Sequence, residues 1–322
     1  MKFAPDGVMK TAMLEVLTIS IPFFALIFLG YGARRVDFCN AEGAALLSRF
    51  AFFVALPPLL FLSVAANDPV DILNWGFIWR YELATMIMFL LAALVARIFF
   101  PLSREEQGIF GLNAAYPNYG YMGVPLSIMA FGDAAALPAG LILLADTIVL
   151  LGLTACFVSK EGGSIVKAVG GIALTMIKNP LLLSVVAGLL FAASGLNLPQ
   201  VASNLMDLLA NAAPPVALFA LGATLHGQKF TGVWGEIGSL TLLKLIMHPV
   251  LVACLFLMVP GQGEVWVNVA ILSACLPVAA NVFMLSHVYG AYTGRTATTI
   301  LITTAVATFT VPVVLYMLFS MR

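Results

Sequence analysis

Residues 113–126 read NAAYPNYGYMGVPL. The stretch lies inside an apolar segment long enough to cross a bilayer, yet it holds the residues that break helices. Pro117 has no backbone N–H and its ring clashes with the preceding turn, so the carbonyl of Asn113 loses its helical partner; Pro125 is expected to do the same to the carbonyl of Tyr121. Gly120 and Gly123 loosen the backbone between them. An unpaired backbone group in hydrocarbon costs roughly several kcal/mol, so such a segment survives only where it is buried in protein or lines a watery cavity. Asn118 then stands among freed backbone groups, with Tyr116, Tyr119 and Tyr121 beside it. A proline kink packed against neighbouring helices would use the same residues, and a second copy of the motif is what separates the two readings.

Of 322 residues 62% are apolar, and only 15 basic and 15 acidic side chains are present. That composition lies outside the soluble range and marks a polytopic membrane protein. A formal net charge of zero argues against nucleic acid as a partner. Cys39, Cys156, Cys254 and Cys275 show no paired spacing and read as small apolar residues rather than disulfides or metal ligands. Residues 1–12 read as a short polar tail, and the apolar run after them is too long for a cleavable signal.

Apolar runs parted by charge, Gly, Pro or Asn predict ten helices, near 13–33, 43–65, 76–100, 107–131, 134–158, 168–193, 203–226, 233–258, 264–288 and 294–320. Arg34, Arg35, Arg49, Arg97, Arg104, Lys160, Lys167, Lys229 and Arg295 flank the odd-numbered connections, against Lys2, Lys10, Arg80 and Arg322 on the other side. The positive-inside rule therefore puts the odd connections in the cytoplasm and both termini outside, with Asp68, Asp71, Asp133 and Glu264 on the outer face.

The halves repeat. Pro22 and Gly30 recur as Pro180 and Gly188 at a spacing of 158, Pro57-Pro58 as Pro214-Pro215 at 157, and Leu112, Ala114 and Pro117 as Leu272, Ala274 and Pro277 at 160. Five crossings per half oblige the second copy to enter from the opposite face, which predicts an inverted repeat: residues 13–158 and 168–321, joined by a short cytoplasmic connection at 159–167. The expected fold class is an all-α polytopic membrane protein in which proline-broken helices 4 and 9 cross near the midplane. Half-helix N-termini meeting there suit an anion, and the carbonyl ends suit a cation or proton donor. Asn118 and Asn281 add amides that both donate and accept.

The segments ALPPLLFLS (55–63), YPNYGYMGVPL (116–126), APPVALFALGATL (213–225), KLIMHPVL (244–251) and LPVAANVFMLSHVYG (276–290) resemble the auxin efflux carriers in the broad sense, which include plant PIN proteins and bacterial malonate and malate transporters. The resemblance covers nearly the whole chain after residue 13. It implies two inverted five-helix repeats, as in sodium-coupled bile acid carriers and sodium/proton exchangers, with helices 1, 2, 6 and 7 as scaffold and the other six moving around the crossover. Pro117, Asn118, Pro277 and Asn281 match the family's crossover residues, and Asn113, Tyr119 and Gly120 complete the substrate-site candidates. The long loop of many plant members is absent, which favours a bacterial inner-membrane carrier of small carboxylates over an auxin-like weak-acid exporter. A homodimer through the scaffold is compatible with this layout.

Two ionisable residues sit mid-span. Asp146 in LILLADTIVLL and Lys244 in TLLKLIMHP each cost at least about 2.5 kcal/mol on insertion scales, so they are coupling candidates, with a buried structural pair as the plain alternative. The coupling ion is expected to be a proton or sodium, with no other cofactor. His248 and His287 read as packing residues, and no metal site is expected. The sequence as a whole points to a secondary transporter of a small organic anion, a mono- or dicarboxylate, working by alternating access in a lipid bilayer. An intramembrane enzyme would need paired carboxylates or a zinc motif, neither of which stands out. A channel-like or receptor protein on the same fold stays open.

Overall fold

The computed structural model describes residues 6–66, 74–158, 177–227, 230–231 and 233–320, with side chains from residue 13 onward. Lys2, Asp68, Asp71, Lys160, Lys167, Lys229, Arg322, the 159–167 connection and the first part of the sixth expected helix lie outside the described residues, as does the side chain of Lys10. Among the described residues the chain is helical throughout, with no strand: α1 (Asp6–Arg35), α2 (Ala41–Phe50), α3 (Leu56–Ala65), α4 (Trp75–Phe99), α5 (Arg104–Ala115), α6 (Val124–Phe131), α7 (Ala136–Val158), α8 (Pro180–Ser194), α9 (Gln200–Leu225), α10 (Trp234–Leu242), α11 (His248–Met258), α12 (Glu264–Ala274), α13 (Ala280–Val288) and α14 (Thr293–Ser320). Counting α2–α3 and α10–α11 as continuous rods, seven helical stretches among the described residues are long and apolar enough to cross a membrane. The segments 104–131 and 264–288 fall outside that set because each is cut in two. α1 begins at Asp6, within the stretch read as a polar tail.

Short polar side chains start these helices, as their geometry requires. Asn40 accepts from Gly43 N–H, Asn74 from Phe77 N–H and Asn179 from Leu181 N–H, the last with Pro180 in the first turn of α8. Ser103 and Glu106 form a reciprocal capping box at the start of α5. Asp37 and Tyr292 are non-glycine residues with positive φ, each in a tight connection between helices.

Three prolines inside apolar segments share one solution. The π-helical turns Ala51–Ala55, Tyr119–Gly123 and Leu243–Met247 each end two residues before a proline, Pro57, Pro125 and Pro249 respectively. A proline ring crowds the carbonyl four residues back and offers it no donor; in each case the turn just before the proline is widened by one residue, so that the residue preceding the proline donates five residues back, Leu56 to Ala51, Val124 to Tyr119 and His248 to Leu243. Pro125 accordingly stands in the first turn of the resumed helix α6 and does not make the second break expected of it.

The helices pack in two groups. α1 lies along α9, and α3 along α8 and α9; α4 packs on α5, α7 and α11, and α11 on α12. Within the first group the backbones touch. A methyl on Gly30 would sit 2.0 Å from the Phe219 carbonyl, and one on Gly222 1.8 Å from the Ile27 carbonyl, so α1 and α9 cross where only glycine fits. At the corresponding glycine of the second half, Gly188 in α8, an added methyl would sit 3.0 Å from the Phe61 carbonyl of α3. Arg80, assigned to the outer connections by charge counting, is instead inside α4 and 8% exposed.

Candidate functional site

The two broken helices meet at their breaks. Asn118 N–H donates to the Pro277 carbonyl at 2.9 Å and Ala279 N–H to the Tyr116 carbonyl at 3.1 Å, an antiparallel bridge centred on Pro117 and Val278. Each break thus pairs N–H and C=O groups of the other's unwound turn. Val278 N–H finds a third partner, Thr303 Oγ1 of α14, at 3.2 Å.

Around the first break every expected residue except Gly120 is buried. Asn113 donates to the Ile109 carbonyl at 2.8 Å and to Thr296 Oγ1 at 3.0 Å, tying α5 to α14. The Asn118 side-chain oxygen accepts from Tyr121 N–H, so the residue caps the helical turn that follows it, while its Nδ2 has no partner among the described residues. Tyr119 donates from its hydroxyl to Asp146 Oδ2, and the same hydroxyl stands 2.9 Å from that of Tyr81. Tyr116 pairs with Thr147 at 3.1 Å. Gly120 faces α8, where a methyl would come within 3.1 Å of Leu181 Cδ1.

The second break is built differently. α13 starts after Ala279 with no side-chain cap, so its first-turn donors are not taken by side chains of the described residues. Beside it lies a cavity of about 240 Å³ lined by Ser48 of α2, Leu221 and Thr224 of α9, Tyr121, Asn281 and Ile300. The lining thus comes from α2 and α9 on one side and from the turn before α6, α13 and α14 on the other, so the cavity lies between these helices. Asn281 lines it directly, whereas Asn118, 2% exposed, is not part of its lining.

Asp146 and Lys244 are both fully buried but do not form an ion pair. Lys244 Nζ instead donates to the Ala274 carbonyl at 2.8 Å and lies 3.1 Å from His248 Nδ1. Ala274 is the last residue of α12, so the ammonium sits at the negative end of a half-helix. The space between lysine and aspartate is filled by a polar chain. A lysine donating to Nδ1 puts the His248 ring proton on Nε2, which faces Thr85 Oγ1 at 3.4 Å, and Thr85 in turn reaches Asp146. His248 is therefore the satisfied histidine expected from sequence, one helical turn after Lys244 on the same face.

One residue escapes a reading of the sequence. Glu82 of α4 is 7% exposed, neither of its carboxylate oxygens has a donor among the described residues, and its carboxyl group lies within hydrogen-bonding reach of Asp146. Its signal is the long apolar run that follows, which puts an acid inside a span rather than at its edge.

At one end of the bundle, Arg295 reaches Glu106 at 3.5 Å and Glu236 at 3.4 Å, and Tyr292 donates to Glu236 at 2.7 Å. Burial first, and then the carboxylate of Glu236, hold the Tyr292 phenol above its ordinary value, so it remains a donor. This cluster fastens the starts of α5, α10 and α14 together. The four cysteines are free, but only Cys275 is buried; Cys156 and Cys254 lie on the outer surface of the bundle. Among the described residues no group of side chains could hold a metal ion.

Comparison with known proteins agrees with this architecture. A family model described as "Membrane transport protein" matches residues 15–166 and 164–315. The chain is 34% identical over 311 residues to a "Putative malonate transporter" of Rhizobium meliloti, covering 96% of this chain and 97% of that one. It is 24% identical to the "Uncharacterized transporter YfdV" of Escherichia coli, covering 86% and 89% of the two chains. A shorter match, 32% over 122 residues, joins 37% of the chain to 20% of "Auxin efflux carrier component 4" of Arabidopsis thaliana. An all-helical bundle whose apolar rods are long enough to cross a bilayer, with two broken helices bridged at their breaks, is thus matched along its length by transporters, and the chain is an integral membrane protein that belongs to the membrane transport protein family, the family of the auxin efflux carriers.

Proposed function

We propose that this protein is a secondary transporter that moves a small organic anion, a mono- or dicarboxylate such as malonate or malate, by alternating access. The observation that most supports it is the uncapped start of α13, opening with Asn281 onto a cavity between these helices and α2 and α9. Backbone N–H groups at a helix start, the positive end of the helix dipole and an amide side chain form an anion-binding surface that needs no fixed cation. The cavity of about 240 Å³ suits a ligand smaller than drug size. The relative named for malonate supports the substrate class.

In this reading the chain crosses the membrane ten times as two inverted five-helix repeats. The similar contacts of Gly30 on Phe219 and Gly188 on Phe61 support that symmetry, because Gly30 and Gly188 correspond at a spacing of 158 and Phe61 and Phe219 lie within one residue of correspondence at the 157 that holds from Pro57-Pro58 onward. α1, α2–α3, α8 and α9 are the scaffold, and the remaining helices move as one body around the crossover. Both termini lie on the non-cytoplasmic side of a bacterial inner membrane, and the end that holds Arg34, Arg35, Arg49 and Arg295 is the cytoplasmic end. Lys244 holds the crossover's carbonyl end and Asp146 handles the coupling ion, a proton or sodium. A dimer would form through the scaffold.

Purified protein in liposomes loaded with malonate is expected to accumulate labelled malonate by counterflow, with saturation and with competition from malate. Flux that rises linearly with concentration, as through a channel, or no flux for any of a panel of carboxylates, would overturn the proposal.

A further inference from the structure

Glu82 and Asp146 present three buried carboxylate oxygens, Glu82 Oε1 and Oε2 and Asp146 Oδ1, that have no donor among the described residues, in an interior where each group is at least nine-tenths buried. The fourth oxygen, Asp146 Oδ2, takes the Tyr119 hydroxyl. The two carboxyl groups lie within hydrogen-bonding reach, on α4 and α7. Two ionised carboxylates at that separation, away from water, repel strongly and leave oxygens unpaired on both sides. A single proton between them removes the repulsion and supplies the missing donor, as in other carboxyl pairs that share one proton.

We propose that Glu82 and Asp146 hold one shared proton in the substrate-free state, and that Glu82 is thereby the second carboxyl of the site that couples transport to protons. The proposal rests on the transporter reading above and gives its coupling step a location. Asp146 is the charged member, because it already accepts from Tyr119; Glu82 carries the proton and donates it to Asp146 Oδ1. The groups facing the pair are Tyr81 and Thr85 from α4 and Tyr119, with Tyr116 behind it, from the crossover. Beyond Thr85 lie His248 and Lys244, and beyond Tyr81 lies Cys275. One shared proton leaves the pair with a single negative charge, facing the ammonium of Lys244 across Thr85 and His248. Uptake of a second proton goes to Asp146, which then stops accepting from Tyr119 and donates instead. Tyr119 lies two residues after Pro117, so the crossover senses the proton through one hydroxyl.

The test pairs infrared spectroscopy with transport. Substrate-free wild-type protein in lipid at neutral pH is expected to show the absorption of a protonated carboxyl shielded from water, and Glu82→Gln is expected to lose it. In liposomes Glu82→Gln should lose at least tenfold of the stimulation by an imposed pH gradient while still exchanging malonate at a measurable rate. A Glu82→Gln protein that keeps either the infrared band or the gradient response at wild-type strength overturns the proposal. So does wild-type protein with no protonated carboxyl at neutral pH, a result that needs no variant. Absence of counterflow in the wild type would instead strike the transporter reading, while the infrared result would stand by itself.

Discussion

At the first break Asn118 caps its own turn, Tyr119 is held by Asp146, and everything but Gly120 and Tyr121 is buried; at the second, α13 starts without a cap and Asn281 faces a cavity. The carbonyl ends differ as well. The last carbonyl of α12 accepts from the ammonium of Lys244, a base from outside its own helix, while just past the two ends the Tyr116 and Pro277 carbonyls are alike taken by an N–H of the other break. One backbone arrangement is thus used twice with opposite chemistry, an acid beside the first break and a base beside the second. A pseudo-symmetric crossing supplies geometry, and single side chains from α4, α7 and the turn before α11 decide which ion each side can hold.

The asymmetry can be broken from its strongest point. Lys244→Met leaves the Ala274 carbonyl and His248 Nδ1 buried without their donor, and hydrogen bonds from a charged donor are worth about 1.5–3 kcal/mol each. It should lower the unfolding midpoint in lipid more than a substitution at Asn281, Asn118 or Thr296 does. A shift no larger than that of Asn118→Ala would mean that the base at the second break is not structural. Asn281→Ala should raise the KM for malonate at least tenfold with little change in stability. If KM stays within twofold, the anion does not bind at the start of α13. Asn118→Ala removes a cap worth about 1 kcal/mol and should register mainly in thermal unfolding. Should it raise KM as much as Asn281→Ala does, the two breaks bind substrate alike and the contrast between them disappears. The smallest effect is expected from Thr296→Val, which removes one of two bonds from Asn113 Nδ2 and should cost about 0.5–1.5 kcal/mol with KM unchanged.

Much of this is legible in the residues because proline acts locally. A missing N–H at Pro117 and at Pro277 follows from covalent structure, so the two breaks and the need to satisfy their backbones can be read without coordinates. Pro125 cannot be read the same way. Its cost depends on whether the preceding turn is α or π, and nothing in YGYMG announces a wider turn. Lys244 is legible as a mid-span charge, but its partner, the Ala274 carbonyl, is a backbone atom and leaves no trace in side-chain spacing. Glu82 is easily passed over because Trp79 and Arg80 just before it look like an interfacial edge. The burial of Arg80 shows that the polar surface lies earlier in the chain. Thr85 and His248, which link the acid to the base, are too ordinary in an apolar helix to be singled out by type.

The π turns bear on how the halves came to differ. Each is one residue more than an α-helical turn needs, and is therefore an insertion in the evolutionary sense, kept inside a helix rather than in a loop. α2 and α3 are separated by one such insertion at Ala51–Ala55, while α9 runs unbroken from Gln200 to Leu225. The spacing between corresponding residues falls from 158 at Pro22 and Gly30 to 157 at Pro57-Pro58, as one extra residue in the first half requires. Past such a turn the helix is advanced by about 100°, so a face that looks inward before it continues on side chains one position later. An alignment of the two halves that admits no single-residue gap will lose the correspondence at each π turn and mistake a change of register for the decay of a duplication.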